Sequence, residues 1–176
     1  MDFTEKMKDD ILVQARQYIE AETNSVFRDE VEAAIEMEDW EGLNDRFYTS
    51  LAFGTAGMRG VIGGGTNRIN TYMVRKVTQG LAEYLLSAEK EPSTVIAYDS
   101  RLFSKEFALS ASLVLAANGV QVYLYDMLHP VPMLSFAVRH MKATSGIVIT
   151  ASHNPSKYNG YKVYWSDGGQ VTPPHD

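Results

Sequence analysis

The sequence predicts an α/β fold: a three-layer α/β/α sandwich around a mixed, largely parallel sheet, preceded by an N-terminal helical arm. Strand-like and helix-like patterns alternate through residues 94–149, which implies βαβ crossovers with helices on both faces of the sheet. Apolar residues recur at helical spacing through the first 50 positions. Composition then changes at Leu51. Residues 1–50 carry 5 Lys+Arg against 14 Asp+Glu (net −9), and residues 51–176 carry 11 against 8 (net +3). The expected boundaries are an arm over residues 1–50 and an α/β domain over residues 51–176.

The arm reads as three helices. Residues 3–20 place Ile11, Leu12, Ala15, Tyr18 and Ile19 at helical spacing, with Thr4 as a cap. Asn24 or Ser25 caps a second helix with Val26, Phe27, Val31, Ala34 and Ile35 on one face. Asp39 begins a short third one carrying Trp40, Leu43, Phe47 and Tyr48. The acidic side chains fall mostly on the other faces and read as a solvated surface.

Residues 53–65 hold six glycines in FGTAGMRGVIGGG. The run is neither GxGxxG nor a Walker loop. It reads either as a glycine-rich hairpin or as a loop whose amides, with Arg59, face a phosphate; an arginine fork suits that ligand. A helix follows over residues 71–88, with Met73, Val74, Val77, Leu81, Leu85 and Leu86 as its stripe. Residues 94–98 are a buried strand, 103–118 a helix with Phe103, Phe107, Leu109, Leu113 and Leu115 among its apolar positions, and 120–124 a strand. Asn118-Gly119 ends the helix between them in a left-handed cap. Pro132 opens a helix to about Met141. Residues 145–149 are a buried strand, and residues 161–165 alternate as another. Ser166-Asp167-Gly168-Gly169 is a turn that returns Gln170-Val171 antiparallel.

Composition limits the function classes. With 45% hydrophobic residues in 176, the chain can bury one real core. The absence of cysteine excludes disulfides, thiolate metal sites and a Cys nucleophile, and fits a reducing cytoplasm. Met1 to Glu5 lacks the segments of a signal peptide, and no apolar run is long enough to span a bilayer. Overall acidity argues against nucleic acid. A small anionic ligand on the basic body fits.

The chemistry centres on Ile147 to Pro155. A buried strand runs into Ser152-His153-Asn154-Pro155, and the Asn-Pro step stops it. Ligands of open α/β sheets bind at such carboxyl ends, although Ser and Asn also favour ordinary turns. As a hydrolase nucleophile, Ser152 needs a histidine base. His153 is its neighbour, and neighbours on extended chain point to opposite faces. The flanking Ala151 and Asn154 are not the glycines of a nucleophile elbow. His140 lies on a helix surface. As a phosphate carrier, Ser152 needs donors and a cation, for which Arg59, His153, Asn154 and local amides are candidates. Lys162, ten residues on, is either the acid/base for a sugar hydroxyl or a solvated strand lysine.

Ala151 to Pro155 (ASHNP), followed by Tyr158-Asn159-Gly160-Tyr161-Lys162, resembles the active-site serine loop of the α-D-phosphohexomutases. FGTAGMRG at Phe53 to Gly60 resembles that family's N-terminal loop, and Tyr98-Asp99-Ser100-Arg101 matches its motif at a strand end. The wording of the glycine-rich loop and the helical arm are closer to the phosphoglucomutase/phosphopentomutase branch. The phosphomannomutase branch more often has Asp where Ala56 stands.

The resemblance implies the first of four domains. By it, Ser152 is phosphorylated and gives its phosphate to a sugar monophosphate; the resulting bisphosphate returns the other phosphate. Ser152, Lys162, Arg59 and His153 form the implied catalytic group. Thr55, Gly57, Arg59, Asn154, Lys162 and Arg101 form the implied phosphate- and substrate-binding group. Mg2+ is implied on the Ser152 phosphate, with three aspartates of an Asp-x-Asp-x-Asp motif in the second domain; that motif does not occur here. The implied partners are a sugar phosphate, glucose 1,6-bisphosphate as activator and intermediate, and domains II–IV of the same polypeptide. The expected parent reaction interconverts glucose 1-phosphate and glucose 6-phosphate, and the fragment alone is expected to be inactive. A phosphopentomutase, a phosphomannomutase and a non-catalytic sugar-phosphate-binding module stay open as alternatives.

Overall fold

The structure, a computed structural model, describes residues 3–54 and 57–172. Five strands form one sheet in the order β1-β5-β4-β2-β3. β2 (Ser93–Tyr98), β3 (Gln121–Leu124) and β4 (Ser145–Ile149) run parallel, while β5 (Tyr158–Trp165) and β1 (Gly57–Val61) add antiparallel strands beside β4. The central strand β4 is buried along its whole length, as a continuous apolar run covered on both faces requires.

Connection order explains the layers. β2 leads outward to β3 through α5 (Ser104–Ala117), and β3 returns past β2 to β4 through α6 (Val131–Met141). Two crossovers of one hand travelling in opposite directions put their helices on opposite faces. One face packs Ile96, Ile147, Ile149, Tyr161 and Val163 against α5 and α4 (Thr71–Ala88). The other packs Val95, Ala97, Val148 and Tyr164 against Leu134, Ala137 and Val138 of α6.

The helix stripes differ in phase from the sequence expectation. On α4, Thr78 and Ala82 face inward with Met73, Val74 and Leu85, while Leu86 is exposed. Thr78 can be buried because its hydroxyl reaches both Val74 O and the Tyr161 hydroxyl. On α5 the inner row is Phe107, Ala108, Ala111 and Leu115, and Leu109 and Leu113 face out. That helix is apolar around much of its circumference, so periodicity alone does not fix its inward face. Phe103 is not its first residue: it sits just before it with φ of 62°. Gly119 follows α5 at a positive φ of 85°, as its cap requires. Gln170 and Val171 return antiparallel, by a single bridge to Tyr164 and the bond Val171 N to Val163 O, rather than as a full strand.

The arm is three helices, α1 (Glu5–Ala21), α2 (Ser25–Glu36) and α3 (Trp40–Phe47). They share a core of Ile11, Ala15, Tyr18, Val31, Leu43 and Phe47 and dock on the sheet domain at three points. Phe27 inserts against Phe103 and Phe107 of the main core. Glu22, buried at the end of α1, accepts from the Tyr18 hydroxyl and Asn24 N, and also from Tyr72 N in the first turn of α4. A carboxylate suits that place, since first-turn amides lack helical acceptors and carry the positive end of the helix dipole. Glu30 and Arg46 hold Gly64 by its N–H and C=O. A Cβ there would lie 2.3 Å from Phe27 O. The second half of the glycine-rich run is therefore the seat of the arm.

Candidate active site

The site is built where β4 and β2 end side by side, since Tyr98 pairs with Ile149 in parallel register. β4 stops at Ile149, but Thr150 and Ala151 stay buried. Thr150 N donates to Gly160 O, and Thr150 Oγ1 accepts from Ser152 N at 2.9 Å. Gly160 is required because a Cβ there would lie 2.6 Å from Thr150 O. Ser152 then takes a left-handed conformation, φ 56°. A non-glycine residue pays about 1–2 kcal/mol for this, so its surroundings must hold it. Asn154 N closes the turn on Ala151 O at 3.1 Å, and Tyr158 N bonds Pro155 O at 3.0 Å.

The left-handed turn alters the expected relation of Ser152 and His153. The chain is not extended there, so the two side chains do not diverge: Ser152 Oγ lies 3.3 Å from His153 Nδ1, both exposed. No carboxylate among the described residues orients that ring. A hydrolase triad still lacks its third member, for a different reason from the one sequence offered.

Arg59, on β1, reaches across to donate from Nη1 to Asn154 Oδ1 at 3.2 Å. Lys162, on β5, is paired with Gly57 on one side and Val148 on the other. Paired residues share a face of the sheet, so Arg59, Gly57 and Lys162 lie on the α6 side. Arg59 and Lys162 line one cleft of about 280 Å³ with Thr150 and Ala151. Ser152 and Asn154 line the adjoining hollow of about 430 Å³ with Asp99 and Arg101. Ser152 lines the hollow and its neighbour Ala151 lines the cleft, and the Arg59–Asn154 hydrogen bond spans the two.

Gly57, with φ of 146°, brings its backbone so close to β5 that a Cβ would lie 2.0 Å from Tyr161 O. Gly54 and Gly57 exchange backbone hydrogen bonds, Gly54 N to Gly57 O and Gly57 N to Gly54 O. Thr55, expected in the phosphate-binding group, lies outside the described residues.

Arg101 borders the hollow of Ser152 but not the cleft of Arg59 and Lys162, and its donors are spent on backbone carbonyls. Its Nη1 donates to Pro155 O and Tyr158 O, and its Nη2 to Ser152 O and Asn154 O. It holds the serine loop from beneath instead of offering a free fork to a ligand. Sequence reasoning also missed a polar chain below it. Asp99 Oδ1 accepts from Ser104 Oγ, and Asn159 Nδ2 donates to that same Ser104 Oγ. Asp99 and Asn159 sit in quoted motifs, but only the fold shows them joined. Among the described residues no group of three or more His, Cys, Asp or Glu could hold a metal. Ser152 is the one expected metal contact in this chain, and only through a phosphate.

Residues 50–176 match the family model for "Phosphoglucomutase/phosphomannomutase, alpha/beta/alpha domain I". The chain belongs to the phosphoglucomutase/phosphomannomutase family. It is 50% identical over 125 residues to the phosphoglucomutase of Staphylococcus haemolyticus (strain JCSC1435), covering 71% of this chain and 23% of that protein. It is 45% identical over 155 residues to the phosphoglucomutase of Staphylococcus aureus (strain USA300), covering 88% and 27%. A crystallised protein of Thermus thermophilus described as a phosphomannomutase shares the fold with a TM-score of 0.67 and 35% identity, over 72% of this chain and 28% of that one. This domain I chain therefore spans about a quarter of the length of these relatives. No helix among the described residues is long and apolar enough to cross a membrane.

Proposed function

We propose that this chain is the serine-bearing first domain of a phosphoglucomutase that interconverts glucose 1-phosphate and glucose 6-phosphate in the cytoplasm. The observation that carries the reading is Ser152 exposed on a held left-handed turn, directly after Ala151, which lines a cleft with Arg59 and Lys162. The names of the Staphylococcus relatives support the glucose assignment over the alternatives.

In the proposed reaction a phosphate on Ser152 Oγ passes to a hydroxyl of a sugar monophosphate. The P–Oγ bond breaks, a P–O bond to the sugar forms, and the hydroxyl proton leaves. Lys162 is the group in this chain to take that proton, and Arg59 is the cation facing phosphoryl oxygens. Such transfer depends mainly on positioning and charge stabilisation. The sugar bisphosphate then returns its other phosphate to Ser152 Oγ, with bonds and proton reversed. His153, whose Nδ1 lies 3.3 Å from Ser152 Oγ, is the group in this chain placed to protonate Oγ, and the grip on the sugar falls to the remaining domains. A magnesium ion would meet this chain only at the Ser152 phosphate, where it would neutralise phosphoryl charge.

Ser152→Ala in the full polypeptide tests the reading. Its glucose 6-phosphate production should fall about 10³-fold or more, as loss of a covalent carrier requires. Turnover at the parent rate would refute it.

A further inference from the structure

The least expected feature of the site is an arginine beside the serine whose donors are all spent on the protein itself. Arg101 is only 14% exposed along its side chain, and both of its terminal nitrogens are committed to carbonyls of one loop. The four distances run from 2.6 to 3.0 Å. Asp99 fixes the guanidinium from the other side: its Oδ2 lies 3.5 Å from Nε, and its Oδ1 accepts from Arg101 N. That carboxylate in turn is held by Ser104 at the start of α5.

A trans peptide directs its C=O and N–H to opposite sides. Where Ser152 O and Pro155 O point in to the guanidinium, the amides of His153 and Ser156 point away from it. The same constraint fixes ψ of Ser152, whose φ already lies in the left-handed region. We propose that Arg101 is the positioning residue of the serine loop, one planar cation that gathers four carbonyls and so aims Ser152 Oγ at the substrate. This deepens the reading of Ser152 as phosphate carrier and rests on it for the catalytic consequence. Lysine cannot replace arginine here, because an ammonium donates from one point and lacks the planar fork. The Asp99 carboxylate beside the guanidinium also disfavours a second anion there.

The test compares the full polypeptide with Arg101→Met and Arg101→Lys. Amide hydrogen exchange reads the loop, and initial rates with glucose 1-phosphate at saturating glucose 1,6-bisphosphate read the chemistry. In Arg101→Met the amides of Ser152, Asn154 and Tyr158 should exchange at least about 10-fold faster while Ile147 and Ile149 keep their protection. kcat should fall by about 10² with KM within about twofold, and Arg101→Lys should recover only part of it. Should the methionine variant fail to fold, the lysine variant alone carries both readouts. Unchanged loop exchange, an unchanged kcat, or a rise in KM alone (the mark of direct substrate binding) would each overturn the proposal. If the unsubstituted protein forms no phosphoserine at all, the carrier reading fails, and the exchange data alone decide the clamp.

Discussion

Gly57 and Lys162 face each other across β1 and β5, and both line the cleft. Gly57→Ala should destabilise the protein by about 1–3 kcal/mol, because its Cβ meets Tyr161 O and cannot move without shifting a strand. Urea unfolding would measure the loss; a change below a few tenths of a kcal/mol would show that β1 can shift. Lys162→Met should leave stability nearly intact and lower kcat of the full enzyme by about 10²–10⁴, the range for a lost acid/base. Steady-state kinetics of the soluble variant would show it, and full activity would remove Lys162 from proton transfer. Motif wording singled out Ser152, Arg59, Asn154 and Lys162, which the fold brings to one end of the sheet. Ser152's backbone was not legible, because a left-handed φ at a serine has no local sequence signal. The inward turn of Arg101 was hidden likewise, since it depends on carbonyls 51 to 57 positions away.

Elements were most legible where they are long and periodic. The three arm helices and the β2–α5–β3–α6–β4 alternation follow from spacing. Inward faces were lost where tertiary contacts override it, as at Thr78 and Leu109. Arm docking was also unreadable, because it uses a carboxylate, Glu22, among many solvated ones. Glu22→Ala should cost about 1–3 kcal/mol by leaving Tyr72 N and Asn24 N unpaired, seen as a lower Tm; an unchanged Tm would mean the arm docks by Phe27 and the Glu30–Arg46 grip on Gly64 without it. Burial raises the phenols of Tyr18 and Tyr161 well above their ordinary value, and Glu22 raises Tyr18 further. The folded state keeps these protons where the unfolded chain releases them. The stability they contribute is therefore complete below about pH 10 and declines as pH rises above it, by about 1.4 kcal/mol per unit per tyrosine. Urea midpoints from about pH 9 to 11 should fall, and Tyr161→Phe should make the fall shallower. An equal fall in both proteins would contradict the assignment to Tyr161.

For the molecule as a whole, the proposal assigns this chain one phosphate-bearing oxygen on Ser152, two cations in the neighbouring cleft, Arg59 and Lys162, and the frame that holds the serine loop. The described residues hold no metal cluster, and the chain spans about a quarter of its relatives. The isolated 176-residue chain should accordingly show no mutase turnover in a coupled glucose 6-phosphate assay; normal turnover would mean the site is complete here. The three-layer fold was readable from alternation because βαβ order restricts topology to few choices. The seating of the arm on Gly64 was not, because close backbone approach leaves no pattern beyond glycine itself. Whether Ser152 Oγ carries the phosphate is read by peptide-resolved mass spectrometry of the full polypeptide after incubation with glucose 1,6-bisphosphate. One phosphate is expected, on Ser152, and absent from Ser152→Ala; a phosphate on any other residue, or one that persists in the alanine variant, would show that Ser152 is not the carrier.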